Sequence, residues 1–283
     1  MKAFLNRADI YISNTCNLKC ENCQSYSNHK HKGHYYFADA DWKSLADKIE
    51  IGVIAILGGE PTLNPRLGEW ITSMAELWPK STKWLISNGI HLKAQPNLHK
   101  VCAETGTNIQ ISLHSEKFRS IIADQILQAF GICEVIELKT YAKTEAIYKL
   151  ILQSSKGVII EVDNAQAFNY IPTAVNNHLP VLHDDYEQVH DACQMKQCTQ
   201  IKNAEIYKCP IMTSIQTYLD QNNIEIPPLL REYKPLTVGN ATQVTLDNLI
   251  NNAIPQCSLC PIHDAERNSI TSLLRKEVNK KSS

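Results

Sequence analysis

The sequence has almost no excess charge of either sign, since 28 Lys and Arg residues face 29 Asp and Glu residues for a formal net charge of −1. Such a chain generates no field that would attract nucleic acid or an anionic membrane. The clearest basic cluster lies in the tail, at Arg275, Lys276, Lys280 and Lys281, where a solvated chain end is the simplest explanation. The charge pattern therefore indicates no nucleic-acid partner.

Long apolar runs are also missing. The first ten residues include Arg7 and Asp9 in place of the apolar core of a signal peptide, and no segment approaches the length of a membrane span. We therefore expect a cytoplasmic protein with no membrane partner. Hydrophobic residues make up 43% of the chain and charged residues 20%, which is ordinary for a globular protein with a sizeable core.

Cysteine, in contrast, is abundant, with 10 residues. Structural disulfides are rare in a reducing cytoplasm, so metal binding or redox chemistry is the leading explanation. Cys102 and Cys133 stand alone and are expected to be buried as small apolar side chains. The other eight form an N-terminal and a C-terminal group: Cys16, Cys20 and Cys23, then Cys193, Cys198, Cys209, Cys257 and Cys260.

Short β-branched runs alternate with helical patterns up to about residue 163, which predicts parallel βα units. Strands are predicted at Asp9–Ser13, Val53–Leu57, Lys83–Ser87, Asn108–Leu113, Glu134–Lys139 and Val158–Val162. Helices are predicted between them, the fifth over Thr144–Gln153. The fold class predicted is α/β: an open, partial (β/α)6 barrel over residues 1–165, a linker over 166–190 and a small cysteine-rich α+β domain over 191–283.

The N-terminal cysteines lie in the segment Cys16-Asn-Leu-Lys-Cys20-Glu-Asn-Cys23, directly after the first predicted strand. Three soft thiolate ligands in a short loop can hold a [4Fe–4S] cluster while leaving one iron open. A zinc site is the alternative, but structural zinc requires a fourth ligand. The histidines that could supply it are His29, His31 and His34.

This CxxxCxxC spacing in the loop after a first strand resembles the signature of the radical S-adenosylmethionine (SAM) superfamily. The resemblance implies that SAM chelates the open iron through its amino and carboxylate groups. It also implies that one electron cleaves SAM to methionine and a 5′-deoxyadenosyl radical, which takes a hydrogen atom from the substrate. No catalytic side chain follows from the resemblance.

Three further segments resemble SAM-binding motifs of that superfamily. Gly58-Gly59-Glu60-Pro61 resembles its GGEP motif, which implies close backbone approach to SAM at the glycines and an acceptor for the methionyl amine at Glu60. Ser87-Asn88-Gly89 resembles a Thr-Asn-Gly, and Ser112 stands where relatives contact the ribose or carboxylate. Each could be a simple turn or rim residue, but all follow consecutive strands, where barrel active sites are built.

One position departs from the family pattern. Many members carry an aromatic residue just before the third cysteine, close to the adenine, whereas this sequence has Asn22. The resemblance therefore does not extend to how the adenine is held. The cluster assignment is unaffected.

The C-terminal cysteines flank a predicted β-hairpin, with Cys198 and Cys209 at its ends and a turn around Lys202–Ala204, and Cys257-Ser-Leu-Cys260 follows. This arrangement resembles the SPASM/twitch extension of radical SAM enzymes, which holds an auxiliary [4Fe–4S] cluster. The resemblance implies ligands at both hairpin cysteines and both CxxC cysteines. Cys193 is an alternative to Cys198, a free thiol or a packing residue. A zinc ribbon has the same pattern.

The resemblance as a whole implies an oxygen-sensitive, oxidoreductase-type enzyme that uses SAM and receives electrons from a donor such as flavodoxin or ferredoxin. Relatives with a twitch extension act on peptides or small molecules, and we expect a carbohydrate-like small molecule slightly ahead of a peptide because no leader-gripping domain precedes the barrel. Two alternatives remain open. One is a glycyl-radical activating enzyme, and the other is a non-catalytic zinc-binding interaction module.

Overall fold

The computed structural model describes residues 2–20, 22–27, 32–140, 147–165, 171–174 and 177–260. Its centre is a single nine-stranded sheet with helices packed against it. The strands are β1 (Ala3–Tyr11), β2 (Ile49–Leu57), β3 (Thr82–Ser87), β4 (Thr107–Leu113), β5 (Cys133–Thr140), β6 (Ile147–Ser154), β7 (Ile159–Asn164), β8 (Gln200–Lys202) and β9 (Glu205–Tyr207). The helices are α1 (Asp39–Lys48), α2 (Leu67–Leu77), α3 (Leu98–Thr105), α4 (Arg119–Phe130), α5 (Tyr186–Asp191), α6 (Pro210–Gln221), α7 (Pro228–Arg231) and α8 (Gln243–Asn251).

The strand order is β5-β6-β7-β4-β3-β2-β1-β8-β9. The pairs from β8 across β1, β2, β3 and β4 to β7 are all parallel. The carboxyl ends of parallel neighbours meet at one edge, so the segments that follow β1, β2, β3 and β4 are gathered there. The mixed α/β class predicted from the sequence is confirmed.

Strand β1 shows how the sequence divides the two faces of this sheet. Ala8, Ile10 and Ile12 belong to the main hydrophobic cluster, together with the apolar sides of α1 and α2. Successive side chains of a strand point to opposite faces. Asp9 and Tyr11 therefore point away from those helices, to the opposite face of the sheet.

The predicted helix over Thr144–Gln153 is wrong. Residues 141–146 lie outside the described residues, and Ile147–Ser154 form β6, which pairs antiparallel with both β5 and β7. Strand propensity depends on the neighbours that a strand finds, and here β7 offers Glu161 and Asp163 to the Lys149 ammonium. A meander therefore replaces the expected fifth βα repeat, and β7 still enters parallel beside β4.

The predicted hairpin is confirmed as β8 and β9, joined through Asn203 and Ala204. Both turn residues are left-handed, with φ of 52° and 59°, as a two-residue hairpin turn of the I′ type requires. Beyond the hairpin a second hydrophobic cluster joins Tyr26 of the N-terminal cysteine loop to Ile215 and Leu219 of α6. The two cysteine-rich segments thus share a core, while the boundaries 1–165, 166–190 and 191–283 stay a prediction. Within the described residues, no helix has both the length and the apolar character needed to cross a bilayer.

Candidate functional site

A cavity of about 330 Å³ opens at the carboxyl edge of the parallel strands. Nine of the residues predicted from the sequence line it: Cys16, Cys20, Cys23, Gly58, Gly59, Glu60, Ser87, Asn88 and Ser112. Pro61 is buried and begins the short 3-10 turn Pro61–Leu63 that leads from β2 toward α2. The fold therefore brings the three predicted cysteines and the predicted SAM-binding segments to one place.

The three N-terminal thiols are half-buried along this cavity. Burial raises the pKa of the Cys16 thiol to about 12 and the pKa of the Cys20 thiol to about 11. Burial also raises the pKa of Cys23. The thiols of the metal-free chain are therefore protonated at neutral pH, and metal binding must release their protons.

The donor set fits an iron–sulfur cluster better than a zinc ion. In the part of the chain that the structure describes, no three His, Cys, Asp or Glu side chains are close enough to share a single metal ion. His34 is engaged elsewhere, with Nδ1 2.9 Å from Ser13 Oγ, and His29 and His31 lie outside the described residues. A [4Fe–4S] cluster does not require the three sulfur atoms to meet at one point, because each thiolate binds a different iron atom of the cluster.

Gly58 and Gly59 hold the end of β2 against the loop that leads into Cys16. A Cβ atom on Gly58 would lie 2.5 Å from Ser13 O, and one on Gly59 would lie 2.5 Å from Thr15 O. The Gly59 amide donates to Ser13 O at 2.6 Å, and the Glu60 amide donates to Thr15 O at 2.8 Å. Close backbone approach thus needs these glycines, and the partner that the structure contains is the cysteine loop. Their approach to SAM stays a prediction.

Glu60 ties the ends of two strands together. Its side chain is fully buried, and Oε1 accepts hydrogen bonds from Thr62 N at 3.0 Å, Thr62 Oγ1 at 2.6 Å and Ser87 Oγ at 2.8 Å. Oε2 accepts from Asn88 N at 2.8 Å. Burial raises the pKa of this carboxyl, while the bonds from Thr62, Asn88 and Ser87 oppose the rise. A carboxylate has about four acceptor positions, two on each oxygen, so Oε2 keeps capacity for one more donor.

Two asparagines shape the cysteine loop, Asn88 through a hydrogen bond from the end of β3 and Asn22 through its own backbone conformation. Asn88 Nδ2 donates to Asn17 Oδ1 at 2.7 Å, which links the end of β3 to the loop between the first two cysteines. Asn22 is left-handed, with φ of 57°, a conformation that Asn tolerates better than bulky residues. This backbone conformation gives a local reason for Asn at the position where relatives carry an aromatic residue.

A second, smaller cavity of about 40 Å³ gathers the C-terminal cysteines. The cysteines that line it are Cys193, Cys209, Cys257 and Cys260. Cys198 is not among the residues that line either cavity. Its Sγ is 3.9 Å from Met195 Sδ, and its pKa, raised to about 11 by burial, is raised further by Asp9 and lowered by Arg7. The geometry thus gathers Cys193, which the sequence offered only as an alternative, in place of Cys198.

Lys208, which sequence reasoning missed, lines this second cavity beside Cys209. It is 2% exposed, and its Nζ donates to Leu249 O at 2.7 Å, Asn252 O at 2.8 Å and Ile250 O at 3.3 Å, at the end of α8. Burial lowers its pKa, while the nearby thiols of Cys257, Cys209 and Cys193 oppose that effect. The available sequence signal was a lysine directly before a cysteine.

Two solved structures resemble the chain in overall arrangement. BtrN in complex with AdoMet and 2-DOIA aligns with a TM-score of 0.45 at 16% identity, covering 89% of this chain and 84% of that one. Streptococcus suis SuiB aligns with a TM-score of 0.37 at 14% identity, covering 89% of this chain and 67% of that one. Scores this low say nothing about substrate.

Sequence comparison assigns one part of the chain to a known domain family. Two proteins named "Probable GTP 3′,8-cyclase", from Methanococcus maripaludis strains C7 and C5, are each 30% identical over 134 residues, which is 46% of this chain and 45% of theirs. The chain thus spans less than half the length of these curated relatives. The sequence model of the radical SAM superfamily matches residues 10–130, which contain the cysteine loop and the predicted SAM-binding segments. Residues 10–130 therefore make up a radical SAM domain.

Proposed function

We propose that this chain is a SAM-dependent radical enzyme that holds a [4Fe–4S] cluster on Cys16, Cys20 and Cys23. The observation that carries the proposal is the single cavity that these cysteines share with Gly58-Gly59-Glu60 and with the ends of β3 and β4. The radical SAM domain over residues 10–130 supports both the cluster and SAM. When bound, the reduced cluster supplies the electron that cleaves SAM and so starts the radical chemistry.

The residues of the chain position these groups. Gly58 and Gly59 fix the backbone before Cys16, as their contacts with Ser13 and Thr15 indicate. Glu60 holds the end of β2 to the end of β3, and its Oε2 has room for a donor such as the methionyl amine of SAM. Ser112, near the end of β4, lines the same cavity, and a ribose hydroxyl or the SAM carboxylate is its expected partner.

An auxiliary [4Fe–4S] cluster in a twitch-like C-terminal region is the second part of the proposal. We assign its ligands as Cys193, Cys209, Cys257 and Cys260, because these thiols line one cavity. The buried Lys208 supports this assignment, since a desolvated cation needs nearby negative charge and metal-bound thiolates would provide it. Cys198 then has a role other than that of a cluster ligand.

The reaction proposed is an oxidation of a small polar molecule in the cytoplasm, with flavodoxin or ferredoxin as electron donor. A peptide substrate, a glycyl-radical partner or a purely structural zinc role are the alternatives. Of these, the zinc module is disfavoured by the radical SAM domain over residues 10–130, which implies an iron–sulfur cluster at the N-terminal cysteines.

Purification without oxygen tests the cofactor assignment. We expect a brown protein with broad visible absorption that fades on reduction, and about eight irons per chain after reconstitution. A variant that lacks Cys16, Cys20 and Cys23 should retain about four irons with the spectrum of one [4Fe–4S] cluster. A colourless, zinc-loaded protein would contradict the whole proposal. Zinc in the triple variant alone would contradict the auxiliary cluster.

A further inference from the structure

Two polar side chains lie side by side on the neighbouring strands β1 and β8, at one side of the first cavity. Asp9 of β1 and Gln200 of β8 are direct partners in the parallel register, with the Asp9 amide donating to Thr199 O at 2.9 Å. Both line the cavity that contains the N-terminal cysteines. Both are buried, with 6% of Asp9 and 2% of Gln200 exposed.

Gln200 has an unmet hydrogen-bonding need. Its Oε1 is buried and has no hydrogen-bond partner among the described residues. Leaving such a group unpaired costs about 1–3 kcal/mol, so native interiors rarely keep one without a reason. Gln200 lines the cavity, so a rotation of its carboxamide would offer this oxygen to a partner bound there.

Asp9 offers a second acceptor at the same place. Arg7 Nε donates to Asp9 Oδ1 at 2.9 Å, and this ion pair leaves Oδ2 for a further donor. A carboxylate oxygen can only accept hydrogen bonds. The partner of Asp9 therefore presents a hydroxyl or an amine, and a hydroxyl also satisfies the Gln200 carboxamide in either of its two orientations.

Asp9 and Gln200 lie on different strands from the segments proposed to bind SAM. The segments assigned to SAM follow β2, β3 and β4, whereas Asp9 and Gln200 lie on β1 and β8, beyond β2 in the sheet. Resting on the proposed function, we propose that Asp9 and Gln200 form the substrate subsite and select a neutral or cationic small molecule with adjacent hydroxyl or amino groups, as in amino sugars and cyclitols. Acidic sugars are disfavoured because their carboxylate would face the carboxylate of Asp9.

Binding to the reconstituted, SAM-loaded chain tests this inference with glucosamine, streptamine and myo-inositol as probes and glucuronate as the acidic counterpart. We expect at least one of the three neutral or cationic probes to bind, and glucuronate to bind more weakly. Asp9→Asn should weaken that binding about 10- to 100-fold and Gln200→Leu about 2- to 10-fold, following the loss of a charged and a neutral hydrogen bond. SAM affinity, measured by calorimetry on the same samples, should stay unchanged.

Thermal stability separates a binding role of Gln200 from a structural one. Gln200→Leu should keep or raise the melting temperature, because it removes an unpaired buried group. Gln125→Leu is the matched control, since Gln125 is equally buried but its Oε1 accepts from Lys93 N at 3.1 Å. This control should melt lower and bind the probe as the unchanged chain does.

The possible results distinguish a failure of the proposed SAM-dependent function from a failure of the substrate subsite alone. Failure of the wild-type chain to bind SAM would overturn the proposed function itself. Normal SAM binding with none of the three probes bound, or with glucuronate bound most tightly, would overturn the subsite alone. The same holds if Gln200→Leu melts as low as Gln125→Leu, because the side chain would then have a structural role.

Discussion

Replacing Gly59 with alanine is expected to disturb the N-terminal cluster site while the rest of the fold persists. The new Cβ would lie 2.5 Å from Thr15 O and 2.8 Å from Ser27 Cβ, and Cβ atoms in real structures essentially never approach closer than 3.0 Å. Neither neighbour is the tip of a flexible side chain. The backbone just before Cys16 must therefore retreat by at least about half an ångström.

The cost follows from this overpacking. Extra atoms in a well-packed site typically destabilise a protein by about 1–3 kcal/mol. For a protein of about 150–250 residues, each kcal/mol of lost stability lowers the melting temperature by about 2–4 °C. The same displacement loosens the bond from Gly59 N to Ser13 O, which is 2.6 Å long. We expect the iron content after anaerobic reconstitution to fall from about eight toward about four per chain, because the auxiliary site is untouched.

Gly68→Ala is the matched control for this variant. Gly68 lies in α2, and a Cβ there would meet only Val101 Cγ2 at 4.0 Å. Alanine inside a helix is favoured over glycine by about 0.5–1 kcal/mol. Melting curves and iron analysis on both variants test whether Gly59 holds the cysteine loop in place. If Gly59→Ala and Gly68→Ala melted alike and kept the same iron, the docking role of Gly59 would be refuted.

Three further variants test other parts of the site. Lys208→Met should lower the free energy of unfolding by at least about 2 kcal/mol in denaturant titrations, because buried carbonyls at the end of α8 lose their donor; an unchanged value would show that the ammonium is dispensable. Glu60→Gln should weaken SAM binding about tenfold in calorimetry with the cluster still assembled, and unchanged affinity would remove Glu60 from the SAM site. In a chain without the three N-terminal cysteines, Cys193→Ala should lose the auxiliary iron and Cys198→Ala should keep it; the reverse result would restore Cys198 as the ligand.

The parts of the site that the sequence predicts are local. CxxxCxxC and Gly58-Gly59-Glu60 are short segments whose chemistry is visible from spacing, and the fold needs only to place the ends of parallel strands side by side. The glycines were predicted for a contact with SAM, but the contact in the structure is with Ser13 and Thr15. A spacing pattern shows that close approach is needed and leaves the partner open.

The parts that the sequence does not predict depend on contacts between distant residues. Residues 147–154 become a strand because β5 and β7 pair with them, which no periodicity inside the segment reveals. Asp9 and Gln200 meet because β8 inserts beside β1, and the two lie far apart in the chain. The choice between Cys193 and Cys198 likewise depends on which thiol the fold turns toward Cys209.

The production of 5′-deoxyadenosine tests the central claim most directly. The anaerobically reconstituted chain is reduced with dithionite, supplied with SAM, and assayed for 5′-deoxyadenosine and methionine by liquid chromatography and mass spectrometry. We expect both products from the unchanged chain and neither from Cys16→Ala, Cys20→Ala or Cys23→Ala, since each variant removes one of the three thiolates that line the cavity. Formation of 5′-deoxyadenosine at the wild-type rate by any of these variants, or its absence from the fully iron-loaded wild-type chain, would contradict the account.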